Sequence, residues 1–332
     1  MKTKHLLIAS IILLLSANID VFAQDTAKVK VDTAIAVVKD TSWHRGGFAS
    51  VAFNQVSLSN WAAGGQSSLS LSAILNLWDN YKKDKVSWDN SLNLGYGMLE
   101  QDGGKPIKNQ DIIELNSKYG RLIKGKFNLS ALLNIRSQFA DGYNYPNDSV
   151  VISKFAAPAY VTVAIGIDYN PTSYLSLFLS PATGRLIIVN DQTLADSGAY
   201  GVDPAVFDAN HNLITHGELT KKQFGAYFKA KFLKDFWKTM FVSSDLALFD
   251  NYTDPIPAYR KDIVVNWDNA INIKAGKFLT TSIMTNLIYD HSVDLPTYQT
   301  INGVQTVVGK GPKVQFKEVL GIGISYRFSN RK

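Results

Sequence analysis

Few residues in this chain have the types and spacing that chemistry requires. A hydrolytic site on a strand needs a His and a Ser two residues apart on one face, with a third group orienting the imidazole. His291 adjoins Ser292, which strand alternation places on opposite faces, and Ser42 and His44 have the spacing but precede the first strand-like segment. His211 and His216, with Asp208 and Glu218, share a polar stretch, yet their spacing fits no helical zinc pair. No catalytic residue, cofactor site or metal site is therefore expected.

The other chemistry-bearing residues are charges that recur on alternate positions. Asp89, Glu114, Lys118, Asn134, Arg136, Lys229, Lys231, Asp245, Asp268 and Lys274 all stand opposite in parity to apolar neighbours. On a closed sheet such residues would face a lumen. Both signs occur, so they could brace a closed interior or line a narrow pore, and no preference for ligand charge follows from the sequence.

What positions them is a period of two, which prevails after residue 46. Leu69, Leu71, Ala73, Leu75 and Leu77 alternate with Ser68, Ser70, Ser72, Ile74 and Asn76. Similar alternation runs through Val86 to Met98, Phe127 to Phe139 and Phe316 to Phe328. Weaker versions cover residues 47–59, 111–123, 159–169, 172–180, 222–233, 238–250, 261–274 and 277–291. This predicts about twelve strands, mostly longer than the roughly 5 to 6 residues usual in soluble sheets and suited to crossing a bilayer at a tilt. An even strand number is what single-chain bacterial barrels require.

Connection lengths alternate as well. Asn80 to Lys85, Lys124-Gly125-Lys126, Asn170-Pro171, Lys234 to Trp237 and Gly276-Lys277 are short, as periplasmic turns are. Gln101 to Gln110, Asp141 to Pro158, Pro181 to Lys221, Asn251 to Arg260 and Ser292 to Lys313 are longer and would face outward; only Ala62 to Gly65 is short among these. Trp88, Tyr96, Tyr119, Tyr169, Trp237, Trp267, Tyr289 and Tyr326 fall toward strand ends, where aromatic girdles sit. Asn90 and Asn269 are exceptions, polar residues at lipid-facing parity, within the similar triplets Trp88-Asp89-Asn90 and Trp267-Asp268-Asn269.

The N-terminus supplies a route to the membrane. Lys2 and Lys4 precede the apolar run Leu6 to Leu15 and a small-residue site ending at Ala23. That pattern predicts a cleavable signal peptide over 1–23, because the run falls short of the roughly 20 residues of a spanning helix. Residues 24–42 lack alternation and are expected to form a flexible periplasmic arm, leaving 43–332 for the barrel. The chain has no cysteine, which excludes disulfides and a lipid-modified thiol. Its formal charge of +6 is scattered without a basic run, which argues against nucleic-acid binding.

The expected fold class is thus all-β: a single closed antiparallel transmembrane β-barrel of about twelve strands with long extracellular loops and short periplasmic turns, in the bacterial outer membrane with both termini periplasmic. Its expected partners are outer-membrane lipid and, during biogenesis, the barrel assembly machinery. Three roles stay open: a passive channel or binding barrel for a small polar solute, a structural or assembly component with an occluded lumen, and, behind these, an envelope hydrolase built on His291 or Ser292.

Several long stretches also resemble a family. They are "NQVSLSNWAAGGQSSLSLS" from Asn54, "WDNSLNLGYG" from Trp88, "SQFADGYNYPNDSVVISKFAAPAY" from Ser137, "LSPATGRLIIVNDQ" from Leu179 and "VQFKEVLGIGISYRF" from Val314. On these the chain resembles the DUF3078 proteins of Bacteroidota. The resemblance implies a cell-envelope protein and carries no activity, ligand or catalytic residue. One departure from common barrel practice is the C-terminus, where Phe328 is followed by Ser329, Asn330, Arg331 and Lys332.

Overall fold

The computed structural model describes residues 42–57, 67–145, 148–276, 278–301 and 304–330. The expected signal peptide, the arm and the Ala62 to Gly65 connection lie outside them. Twelve antiparallel strands close into one barrel: β1 (Trp43–Val56), β2 (Ser68–Lys83), β3 (Val86–Gln101), β4 (Ile107–Lys124), β5 (Phe127–Ser137) and β6 (Ala159–Thr172), then β7 (Leu175–Ile188), β8 (Thr220–Phe236), β9 (Met240–Asn251), β10 (Ile263–Ala275), β11 (Leu279–Tyr289) and β12 (Gln315–Ser329). Each strand pairs with its sequence neighbours, and β1 pairs with β12 through registers such as Val51 opposite Ile324, so no edge is left open.

The pleat sorts the side chains. Val51, Phe53, Leu71, Leu129, Ile165, Leu179, Ile322 and Ile324 are all at least two-fifths exposed and point outward. A large apolar side chain left in water forfeits about 1.5–3 kcal/mol, so a belt of them around a closed sheet is stable only under lipid. Trp88, Tyr119, Trp237 and Tyr326 are exposed on this surface, and Tyr169 stacks on Phe127 with centroids 4.6 Å apart. No helix among the described residues is long and apolar enough to cross a membrane; the strands do the crossing. The fold is that of an outer-membrane barrel.

Tight turns join the strands at one end. Lys83 pairs with Val86 across Asp84-Lys85, and Lys124 with Phe127 across Gly125-Lys126. Asp84 and Gly125 take the left-handed backbone such turns demand, with φ of 51° and 59°. Trp43 and Asn330 lie at this end too: the Arg45 amide donates to Asn330 Oδ1 at 2.9 Å, and Asn330 Nδ2 to the Trp43 carbonyl at 3.1 Å.

The opposite end carries the long connections, and here one boundary differs from expectation. Pro181 does not begin the long loop, because β7 continues to Ile188 and pairs with both neighbours beyond the proline. Register shifts between Ile165 and Ile167 on β6, and between Gly225 and Tyr227 on β8, accommodate the residue that cannot donate. The backbone approaches closely at these bulges. A Cβ on Gly166 would lie 2.1 Å from the Leu179 carbonyl oxygen, and one on Gly225 would lie 1.8 Å from that of Asp250. The loop proper, after Ile188, packs Val189, Leu194, Ala195 and Val202 into a buried cluster with Ala157 and Ile187. A five-residue helix, Gln192–Asp196, is capped there by Asp191, whose Oδ1 accepts from the Leu194 amide at 3.0 Å.

Candidate functional site: the barrel interior

Inward parity places many small residues on one wall, interspersed with Phe48, Ile74 and Trp78, and larger apolar ones on the other. Ser50 and Ala52 on β1, Ser72 on β2, Ser91 on β3, Ser282 on β11 and Gly321 on β12 border a cavity of about 940 Å³. The facing wall is filled by Leu132, Ala164, Phe178, Tyr227, Phe249 and Val264, all buried. The cavity reaches the short-turn end, where Asn170, Ser173, Tyr174, Asp235, Thr239 and Arg327 border it.

Two bridges cross this interior. Arg136 on β5 meets Asp268 on β10 at 3.1 Å, a contact between strands five apart round the barrel. Lys229 on β8 reaches Asn116 Oδ1 on β4 at 3.2 Å while pairing with Asp245 on β9 at 3.1 Å. Each anchor is held in turn. Glu114 accepts from Asn93 Nδ2 at 3.1 Å and Asn134 Nδ2 at 2.9 Å, and Asn134 also donates to Asn116 Oδ1 at 2.8 Å. Asn76 Nδ2 donates to Asn93 Oδ1. Asp268 accepts from Asn286 at 2.5 Å and Asn266 at 3.2 Å. A buried charge is tolerable only when paired and hydrogen-bonded, and an amide ladder supplies the second condition here.

Nearer the short turns, Lys118 on β4 contacts Asp168 on β6 at 2.9 Å and Ser176 Oγ on β7 at 2.8 Å. At the other end Arg185 joins Asp290 at 3.2 Å, donates to Gln223 at 3.3 Å, and lies over the Tyr160 and Phe249 rings at 5.0 and 5.6 Å. Burial pushes the Asp290 carboxyl upward, but the Arg185 guanidinium and hydrogen bonds from Ser292 outweigh it and hold the group below the usual carboxylate range.

Of the residues singled out by parity, Asp89, Glu114, Lys118, Arg136, Lys229, Lys231, Asp245, Asp268 and Lys274 border the cavity. Asn134 sits behind Glu114 within the amide ladder. Sequence reasoning missed Lys317 and Arg327, which also border the cavity and stand at inward parity on β12. Arg185 lies beyond Pro181, where the sequence predicts loop and the strand in fact continues to Ile188.

The other candidates lie in the long loops. His291 Nε2 is 2.8 Å from Asp254, with the imidazole buried, whereas Ser292 Oγ donates to Asp290 at 2.6 Å. The serine and the histidine are thus engaged by different carboxylates. His216 Nδ1 lies 3.0 Å from Asp196, and Asp208 accepts from the amides of Asn210 and Asn212 at 2.8 Å, an ordinary loop-closing arrangement. Among the described residues no group of three His, Asp or Glu side chains converges as a metal site would require.

Asn90 and Asn269 have an account. Trp88 Nε1 donates to Ser117 Oγ at 2.8 Å, and Ser117 donates to Asn90 Oδ1 at 2.7 Å. Asn90 Nδ2 donates to the Asp79 carbonyl at 3.0 Å. Trp267 Nε1 donates to Ser244 Oγ at 2.9 Å, with Ser244 opposite Asn269 in register, as Ser117 is opposite Asn90. Asn269 Nδ2 reaches Thr285 Oγ1 at 3.3 Å. Cross-strand bonds satisfy polar groups that lipid could not.

The family model described as "Protein of unknown function (DUF3078)" matches residues 53–143, supporting the resemblance read from the sequence. No curated protein matches the chain. Among solved structures, it is similar to an outer membrane channel from Pseudomonas putida F1, at 13% identity over 90% of this chain and 100% of that one, with a TM-score of 0.36. It is also similar to the NanC porin, at 7% identity over 86% and 97% with a TM-score of 0.34. A third is the translocator domain of the autotransporter NalP from Neisseria meningitidis, at 8% identity over 88% and 90% with a TM-score of 0.33.

Proposed function

We propose that this outer-membrane barrel admits a small polar solute into a braced interior chamber, entered from the short-turn side, which is the periplasmic side. The observation that carries the reading is the cavity itself. At about 940 Å³ it matches the size of small-ligand pockets, and Asn, Ser, Thr and charged side chains border it alongside apolar ones such as Phe48, Ile74, Trp78 and Phe241, whereas the facing wall is packed apolar filling. A barrel needed only as a scaffold would fill that space, since a void sacrifices packing. The Arg136–Asp268 and Lys229–Asn116 bridges limit what can pass to molecules small enough to slip beside them.

Swelling of liposomes containing the refolded full chain tests this. A pentose is expected to enter and a trisaccharide to be excluded. Folded barrel that admits neither would overturn the reading.

One observation favours a second reading, a structural component with an occluded lumen. The layer of Arg185, Asp290, Tyr160, Phe249 and Gln223 packs the long-loop end of the β6 to β9 side. Absence of swelling together with a partner cross-linked to residues 189–219 in native membranes would support that alternative.

A further inference from the structure

The interior charges look balanced in composition, but their pairing is not balanced. Seven cations border the cavity: Lys118, Arg136, Lys229, Lys231, Lys274, Lys317 and Arg327. Four of them are engaged. Lys118 holds Asp168, Arg136 holds Asp268, Lys229 holds Asp245, and Arg327 holds Asp235 at 3.0 Å. The bordering acids are similarly taken up. Besides Asp235, Asp245 and Asp268, Asp111 is paired with Lys108 at 2.8 Å, and Glu114 receives two asparagine amides. Asp89 is the exception on the acidic side.

What remains after ion pairing is Lys231, Lys274 and Lys317 against Asp89 and Glu114. Among the described residues the three lysines and Asp89 have no ion-pair or side-chain hydrogen-bond partner. The three ammonium groups stand on β8, β10 and β12. In register Lys231 and Lys317 share one row with Asp245, Asp268 and Asn286 between them, and Lys274 stands six residues along β10 from Asp268 toward the short turns, with Ser243, Asn272 and Ser282 at the levels between. An ammonium is a compact charge with three rotatable donors and needs anionic oxygen to satisfy it. Hydroxyls and amides placed between such charges offer the further donors that a carboxylate or phosphate oxygen takes up.

We infer that the chamber favours small oxyanions, with Lys231, Lys274 and Lys317 as the unpaired cations they meet at successive levels of its wall. The inference rests on the barrel being accessible to solutes and specifies their chemistry: phosphate or an organic carboxylate or phosphate ester. The paired charges fix the walls, while the unpaired lysines give the interior its electrostatic preference. Asp89 on β3 and Glu114 on β4 are the carboxylates without a cation of their own, which leaves an excess of one positive charge, three lysines less two carboxylates.

The test uses the folded full chain in two independent measurements. In planar bilayers under a potassium chloride gradient, the reversal potential is expected to report anion preference. The triple variant Lys231→Gln, Lys274→Gln and Lys317→Gln is expected to lower the anion-to-cation permeability ratio by roughly tenfold, while Lys310→Gln, in the hairpin that Asp294–Ile301 and Val304–Pro312 form within the long connection between β11 and β12, leaves it unchanged. Calorimetric titration of detergent-solubilised barrel with inorganic phosphate is expected to show binding that the triple variant loses. Should the triple variant fail to fold, Lys317→Gln alone is read, with a smaller loss in the same direction.

A cation-selective or unselective pore overturns the inference while leaving solute entry standing. A barrel that passes no current but binds phosphate through these lysines keeps the anion site and sinks passage. A barrel that passes no current and gives no phosphate heat overturns both.

Discussion

The Arg136 guanidinium on β5 meets the Asp268 carboxylate on β10 at 3.1 Å, five strands away round the barrel, and each belongs to a polar ladder on its own wall. Two halves of the sheet that are remote in sequence are thereby tied across the lumen. Removing Arg136 leaves the Asp268 carboxylate with asparagine amides alone, and removing Asp268 leaves Arg136 with only the Glu114 carboxylate near it, whereas removing both takes away equal and opposite charge. Arg136→Ala or Asp268→Ala alone is expected to lower stability by about 1–2 kcal/mol, and the double substitution by less than their sum. Urea unfolding in detergent, followed by heat-modifiable gel mobility, measures this; strict additivity would show that the two side chains do not interact.

Outward-facing Ser117 and Ser244 each accept from a tryptophan on the neighbouring strand, so loss of the hydroxyl exposes an indole N–H and, at Ser117, an asparagine oxygen to lipid. Ser117→Ala is expected to cost about 1 kcal/mol. Combining it with Asn90→Leu recovers most of that, because a wholly apolar surface suits the bilayer. The same unfolding assay checks the order of the three proteins, and a double variant weaker than the single one would be inconsistent with it.

The bulge beside Pro181 leaves no space for a side chain at Gly166, where a Cβ would lie 2.1 Å from the Leu179 carbonyl oxygen. Gly166→Ala is expected to shift the β6–β7 pairing and destabilise the barrel by about 2 kcal/mol or more. Gly184→Ala, with nothing within 4 Å of the added carbon, serves as the matched control and is expected to fold normally. Yield of heat-modifiable barrel separates the two.

In the long loops Asp254 binds the buried His291 at 2.8 Å. Burial raises the Asp254 carboxyl, but hydrogen bonds from His291 and from the Ile256 amide, with the nearby charge of Lys221, hold it below its ordinary 3.8. A depressed carboxylate stabilises the fold fully above its unfolded value, and that contribution fades as pH falls through the lower folded value. Amide exchange of residues 252–262 is therefore expected to quicken only below about pH 4, and Asp254→Asn to quicken it at neutral pH as well. Exchange that already rises between neutrality and pH 5 would point to another group.

Much of this was legible in the sequence, because lipid outside and polar groups inside impose a period of two on every strand. That rule placed Asp89, Arg136 and Asp268 on the inner face and marked the short turns at Asp84 and Gly125. It failed at Pro181, where a bulge absorbs the missing donor, and the inward Arg185 was lost with it. It also left Asn90 and Asn269 unexplained, since their partners Ser117 and Thr285 lie on neighbouring strands. Pairing lay beyond it altogether: which lysine meets which aspartate depends on strand tilt and stagger, which bring Lys229 to Asn116 across four strands. The alternation of charges was visible, but the unpaired set of Lys231, Lys274 and Lys317 was not.

The central claim is that cross-lumen bridges narrow a solute-accessible interior, and single-channel conductance of the Arg136→Ala, Asp268→Ala double variant tests it most directly. Opening the bridge is expected to raise conductance several-fold above that of the unaltered chain in the same bilayer and salt. Conductance unchanged in a correctly folded double variant would contradict the account.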